Sequence, residues 1–321
     1  MAITAAIAGI NTAGIVLQST QQFGHVCHTH VMGWTNLGPP APAIPDPSDT
    51  HWFMRLYSYH SNHLTWTSFR MKYMSSRTDV VVDSTVSTAD TLSPIEFAPA
   101  IEEKHVRVDP SNWADIYVVG DVHGCIDELE RMLDELAIAE DDLVLFVGDL
   151  VRKGPDSQAV VDRVRSTENM MTIRGNNEQK IIDGTADPGL DDDAKEYIAS
   201  LPLAISVGQN LLVHGGIDIE KALTDQTEDD LLEHRYVSDA DAADATYWFE
   251  RHDELPRVFF GHTVLDAPFV TDHAVGLDTG CVHGHGLSVY NLTTETLHQI
   301  TSEEYKHRSE DSIVSTDDLV Y

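Results

Sequence analysis

Five times along the chain, a short apolar run ends in or just before a glycine beside a side chain able to bind a metal ion. Residues 115–119 (DIYVV) run into Gly120-Asp121, and residues 143–147 (LVLFV) into Gly148-Asp149. Residues 170–173 lead to Arg174-Gly175-Asn176, residues 211–213 to His214-Gly215-Gly216, and residues 258–260 to Gly261-His262-Thr263. Runs of this kind, bounded by glycine, predict buried strands. Between the first two, Ile126, Leu129, Met132, Leu133 and Leu136 recur at helical spacing with acids between them. Val160, Val161 and Val164 mark a second helix, and from residue 266 the pattern is of short strands and turns. The alternation predicts an α/β fold. In open α/β sheets ligands gather beyond the carboxyl ends of strands. Glycine there lets the backbone turn sharply and approach an ion or phosphate. One such turn is explained by an Asp-Gly bend or a core histidine; five in order, all at strand ends, are not.

Gly120-Asp121-Val122-His123-Gly124, Gly148-Asp149, Gly175-Asn176, His214-Gly215 and Gly261-His262 resemble the calcineurin-like metallophosphoesterases. Within them the sequence is most similar to the phosphoprotein phosphatases and the bacterial diadenosine tetraphosphatases. Residues 276–282 (GLDTGCV) are similar to the last strand region of the latter and of small bacterial phosphatases. The resemblance runs from residue 117 to 300 and implies a β-sandwich with flanking helices and a metal site at the strand carboxyl ends. Carried over residue by residue, it implies that Asp121 and His123 hold a first metal ion. Asp149 would bridge to a second, completed by Asn176, His214 and His262. Carboxylate and imidazole donors suit Mn²⁺, with Fe or Zn²⁺ as alternatives. Two ions about 3.5–4 Å apart can hold a bridging hydroxide at neutral pH that attacks phosphorus in line. Lys153 stands where the family has an arginine and would contact phosphate as a compact charge. Arg174 would touch phosphate or brace its loop, and Arg251 is a weaker clamp candidate.

The pattern breaks at one place. The family's Gly-Asn-His-Glu or Gly-Asn-His-Asp is Gly175-Asn176-Asn177-Glu178 here, and the acidic partner of that histidine is Arg152. The family's general-acid dyad is therefore absent, since Asn177 donates hydrogen bonds but yields no proton near neutral pH. General acid help is worth about 10²–10⁴-fold for a poor leaving group. A nucleotide phosphate leaving an anhydride needs it far less than a serine alkoxide. This tilts the expected reaction toward nucleotide phosphoanhydrides, with a serine/threonine phosphatase as the close rival and a weakly catalytic phosphoryl-binding module as a third reading. Arg152, Lys153 and Asn177 would then stabilise leaving charge. Among His273, His283 and His285, His283 is the first candidate for a substitute proton donor. Cys125 and Cys281 read as small buried residues.

Composition narrows the partners. The 321 residues carry 53 Asp+Glu against 20 Lys+Arg, a formal charge of −33. That disfavours nucleic acid and anionic membranes as partners. No long charge-free apolar run predicts a membrane span, and a cytoplasmic hydrolase is expected. Self-repulsion on this scale is relieved by molar salt, so the body reads as adapted to a high-salt interior, as in halophilic archaea. The first 73 residues depart from this, with two acids and three bases. They show no sustained pattern, and Cys27, His28 and His30 there lack a second ligand cluster. We expect this head to be upstream sequence read in frame, with the natural start at Met74. Residues 74–112 are expected to be a flexible acidic lead-in, 113–300 the phosphoesterase domain and 301–321 an acidic, fraying tail.

Overall fold

The computed structural model describes residues 94–237 and 246–319, together with the backbone course alone of five strands between residues 5 and 72. Those five form two groups, the first of them antiparallel. One is β1 (Ala5–Asn11), β2 (Gly14–Phe23) and β3 (Val26–Met32); the other is β4 (His51–His60) with β5 (His63–Lys72). The side chains of Cys27, His28 and His30, and the expected start at Met74, lie outside the described residues.

The body is built on two sheets. The first is mixed and runs β13 (Phe269–Val270), β14 (Ala274–Gly276), β12 (Arg257–Phe260), β11 (Asn210–Leu212), β10 (Ala204–Val207) and β6 (His105–Val108). The second runs β16 (Thr296–Thr301), β15 (Gly286–Asn291), β7 (Ile116–Val119), β8 (Leu143–Phe146) and β9 (Met170–Thr172). β7, β8 and β9 are parallel, while β15 and β16 close that sheet antiparallel. The helices are α1 (Pro99–Glu102), α2 (Ile126–Glu135), α3 (Ser157–Arg165), α4 (Asn176–Ile182), α5 (Asp192–Ser200) and α6 (Glu228–Glu233). Among the described residues no helix is long and apolar enough to cross a membrane.

Strand periodicity explains the layers. Successive side chains point to opposite faces, so Ile116, Val118, Leu143 and Leu145 meet Ile205, Val207, Leu212 and Phe259 between the sheets. Tyr117, Val119, Val144 and Phe146 face the other way, onto Leu129 and Met132 of α2 and Val160 and Val164 of α3. On the far side, Leu211, Val213, Val258 and Phe260 pack with Leu231, Leu232 and Trp248. A strand buried on both faces must be apolar throughout, which is why these runs lack alternation. Each such Leu, Val or Phe contributes roughly 1.5–3 kcal/mol.

Two expectations need correction. From residue 94 on, the lead-in belongs to the fold: Ile95, Phe97 and Ile101 are buried, and β6 pairs parallel with β10. All three of these side chains join the outer core. The tail is also held. Val314 and Leu319 pack on that core, Val314 bridges Leu265, and the Asp266 carboxylate accepts from the Thr316 amide at 2.9 Å.

Candidate active site

The five turns read from the sequence all lie beyond the carboxyl ends of β7, β8, β9, β11 and β12, and they converge. Asp121, His123, Asp149, Asn176, His214 and His262 are each at most 7% exposed. Donor atoms of Asp121, His123 and Asp149 lie within 4.8 Å of one another. His123 Nε2 is 3.8 Å from Asp121 Oδ2 and 3.5 Å from Asp149 Oδ2. On the other side of Asp149, His214 Nε2 is 3.4 Å from Oδ1. The His214 and His262 rings lie 5.1 Å apart, edge to face. His123, Asp149 and His262 all adopt left-handed backbone, at φ 51°, 52° and 65°. Such strain persists where surrounding structure imposes it. Here the imposing contacts include His123 N donating to Asp149 O and Gly154 N to His123 O, both at 2.8 Å.

The hydrogen bonds fix the tautomers. His214 Nδ1 faces the Val147 carbonyl at 2.8 Å and His123 Nδ1 the Val151 carbonyl at 3.0 Å. Both Nδ1 atoms therefore carry the proton, and both Nε2 atoms present a lone pair toward Asp149. This is the outer hydrogen bonding that metal-binding histidines use. His214 Nε2 and His262 Nε2 are buried and make no hydrogen bond, although His262 Nε2 lies 3.5 Å from Glu233 Oε2. A lone pair 3.4 Å from a carboxylate oxygen is unfavourable without a cation, so the residues present fit divalent metal. Burial holds the His123 pKa down at about 4, with Lys153 adding to it, and that of His262 at about 2. Both rings are thus neutral donors. The Asp121 carboxyl is pushed up by burial and by Asp278 and Asp149. Burial opposes the Asp149 charge, yet its pKa is held below the usual carboxylate range, with the Lys153 ammonium and the Asn177 amide N–H favouring the charged form.

Beside this cluster opens a cavity of about 460 Å³. Among the described residues its wall carries six bases, Arg152, Lys153, Lys180, Arg235, Lys306 and Arg308, and one acid, Asp149. In a chain with only 20 Lys+Arg, that concentration is the opposite of the overall charge. Lys153 Nζ reaches His123 Nε2 at 2.6 Å. Arg152 Nη1 donates to Asn177 Oδ1 at 2.6 Å, so the two positions where the family's dyad is replaced still touch. Asn177 Nδ2 donates to Asp149 Oδ2, and the Asn177 amide N–H to Asp149 Oδ1 at 2.8 Å. Asn177 thus positions Asp149. His283 lines the same cavity, with Nδ1 2.5 Å from the Lys306 carbonyl and Nε2 buried without a partner.

Other expected contacts fall away from the cavity. Arg174 is buried and binds Gln179 Oε1 and the carbonyls of Ala199 and Leu201, so it braces the loop and does not line the phosphate cavity. Arg251 and His285 are exposed elsewhere, and His273 does not line the cavity. Cys125 and Cys281 are buried free thiols.

Some residues at the site were not singled out from the sequence. Glu178 accepts from the amides of Gly175, Asp149 and Val151 at 2.8–3.2 Å. Burial, with Asp149 nearby, pushes its carboxyl up to about 8. Glu178 stands at the third position of α4, where a glutamate can accept from the N-cap amide. Asp278 is buried beyond β14 in Leu277-Asp278-Thr279-Gly280, an apolar run ending like the other five. Glu233 accepts from Asn176 Nδ2 at 2.9 Å. Arg235, Lys306 and Arg308 arrive from distant segments with no local signature.

A two-sheet α/β core thus brings buried acids and imidazoles together at its strand ends, where they could hold divalent metal beside a basic cavity. Residues 114–266 match the calcineurin-like phosphoesterase family, and the chain carries a calcineurin-like metallophosphoesterase domain. Serine/threonine-protein phosphatase 1 of Salmonella typhimurium is 41% identical over 87 residues, 26% of this chain and 39% of that enzyme. The symmetrical bis(5'-nucleosyl)-tetraphosphatase of Janthinobacterium sp. is 24% identical over 266 residues, 59% of this chain and 97% of that one. A crystallised candidate diadenosine tetraphosphatase shares the fold with a TM-score of 0.57 at 24% identity, over 62% of this chain and 98% of its own. The chain is a phosphoesterase-type hydrolase, and the metallophosphoesterase family it matches implies divalent metal ions.

Proposed function

We propose that this enzyme hydrolyses phosphoanhydrides of nucleotides, with two divalent ions held by Asp121, His123, Asp149, Asn176, His214 and His262. The observation that carries the reading is the wall of six bases beside the buried acids and imidazoles. A single phosphate monoester needs a few charge-assisted contacts; six bases spread over one cavity suit a chain of several phosphates. When bound, divalent ions polarise the phosphoryl group and activate the nucleophile near neutral pH. Mn²⁺ suits the oxygen and imidazole donors.

The chain's own residues do the rest. Lys153 and Arg152 neutralise charge on the phosphoryl oxygens and the departing phosphate. Asn177 orients Asp149 and gives up no proton. His283 offers no ready proton either, because burial lowers its pKa and its Nδ1 proton is committed to the Lys306 carbonyl. A leaving group that departs as a stable anion suits such a site. The match to the Salmonella phosphoprotein phosphatase favours the rival reading, a phosphoserine/phosphothreonine monoesterase.

The deciding experiment assays diadenosine tetraphosphate, an aryl phosphate and a phosphoserine peptide side by side, in molar KCl with Mn²⁺. Turnover favouring the dinucleotide is expected. Comparable or faster turnover of the peptide would refute the reading and require another proton donor.

A further inference from the structure

We propose that the cavity adjoining the phosphate pocket is a nucleoside subsite, with Tyr236 as its stacking face and Thr263 as its hydroxyl contact. This deepens the nucleotide reading above and rests on it for the phosphate end. The second cavity measures about 560 Å³ and shares Arg235 and Arg308 with the first. Among the described residues those two arginines are its only bases. Its carboxylates, Glu250 and Asp318, oppose a further phosphate there. An occupant that leaves the basic cavity past the arginine pair therefore continues as a neutral part.

Two features say what that part is. Tyr236 and Tyr247 have ring centroids 5.0 Å apart, tilted by 34°. Tyr247 stacks on Phe249 at 5.1 Å and 17°, and Phe249 on Phe260 at 4.8 Å and 24°. Phe249 and Phe260 are buried in the core. The column is thus fixed at its inner end, and Tyr236 is its outermost ring among the described residues. A ring held this way offers a planar face at little further cost in ordering, the arrangement on which bases stack. The second feature is Thr263. One residue beyond His262, this threonine lines the cavity, and its hydroxyl is buried with no hydrogen-bond partner. Buried hydroxyls are normally paired, and a ribose hydroxyl next to the phosphate would pair this one.

Calorimetric binding of AMP and of ribose 5-phosphate to the full chain with Mn²⁺ tests the subsite. AMP should bind about tenfold more tightly, the usual scale for stacking one base. Tyr236→Ala should erase the preference and leave ribose 5-phosphate affinity unchanged, while Tyr236→Phe keeps both. Ser312→Trp, filling the cavity from an exposed position, should weaken AMP alone. Equal affinities in the parent protein, or a preference that survives Tyr236→Ala, would overturn the proposal. So would loss of both ligands in Tyr236→Ala with normal AMP binding in Ser312→Trp. Because binding is read without turnover, failure to hydrolyse nucleotides would count against the proposed reaction and not against the subsite.

Discussion

Replacing Gly261 by alanine separates the demands of the site from those of the fold. Gly261 has an ordinary backbone conformation, so alanine brings no dihedral strain there. A Cβ at that position would instead lie 2.0 Å from Asp121 Oδ1 and 2.9 Å from Val147 Cγ2. Ordinary contact begins at 3.4 Å, so the carboxylate must retreat by about 1.4 Å. It is the softer neighbour, because it can rotate where the sheet backbone cannot. Rotation takes it away from the His262 amide, now 3.3–3.4 Å away, and out of its cluster with His123 and Asp149. A displacement of about 1 Å near the chemistry costs about 10²-fold in rate. Overpacking adds a stability loss of about 1–3 kcal/mol. Gly208→Ala is the control. Gly208 has φ +60° and open space around its would-be Cβ, so alanine there strains the backbone and touches nothing. Thermal melts and aryl phosphate turnover with saturating Mn²⁺ read the contrast. Gly261→Ala should remain folded with turnover reduced about 10²-fold, while Gly208→Ala keeps its turnover. Full turnover in Gly261→Ala would refute the claim that the glycine exists to admit the Asp121 carboxylate.

Two other outcomes are expected. Asn177→His with Arg152→Asp restores a touching dyad and should raise alkyl phosphate turnover about 10–10²-fold more than anhydride turnover; equal gains would undercut the leaving-group reasoning. The Glu102 carboxyl is held down at about 2 mainly by its bond to Arg107, with the Phe97 amide and His105 helping against burial. Its stabilisation is present above the ordinary value of 4.5 and is lost as pH falls toward 2. Glu102→Gln should therefore cost about 1 kcal/mol at neutral pH, after discounting for partial exposure, and nothing near pH 2 by denaturant melts.

The parts of the fold legible in the sequence are those where one local rule decides. The strands β7, β8, β9, β11 and β12 are short apolar runs stopped by glycine, and α2 carries a clear 3.6-residue stripe. The ligand candidates were legible because each sits in such a stop. Pairing is not local, however. Nothing in His105–Val108 announces that it adds a sixth strand beside Ala204–Val207. Nothing in the polar tail announces that Val314 will dock beside Leu265. The basic wall was illegible for the same reason, since Lys180, Arg235, Lys306 and Arg308 meet only through tertiary packing. Arg174 shows the converse limit. Its neighbourhood to Gly175-Asn176 suggested a phosphate contact, but its side chain turns inward to the carbonyls of Ala199 and Leu201.

Metal dependence tests the site most directly. Protein stripped with a chelator should show no phosphoesterase activity, and titrated Mn²⁺ should restore it as two ions bind per chain. Asp149→Asn, which keeps the shape of the side chain facing His123 and His214, should bind neither ion well and stay inactive. Full activity of the stripped protein, or of Asp149→Asn, would contradict a reaction centred on these residues.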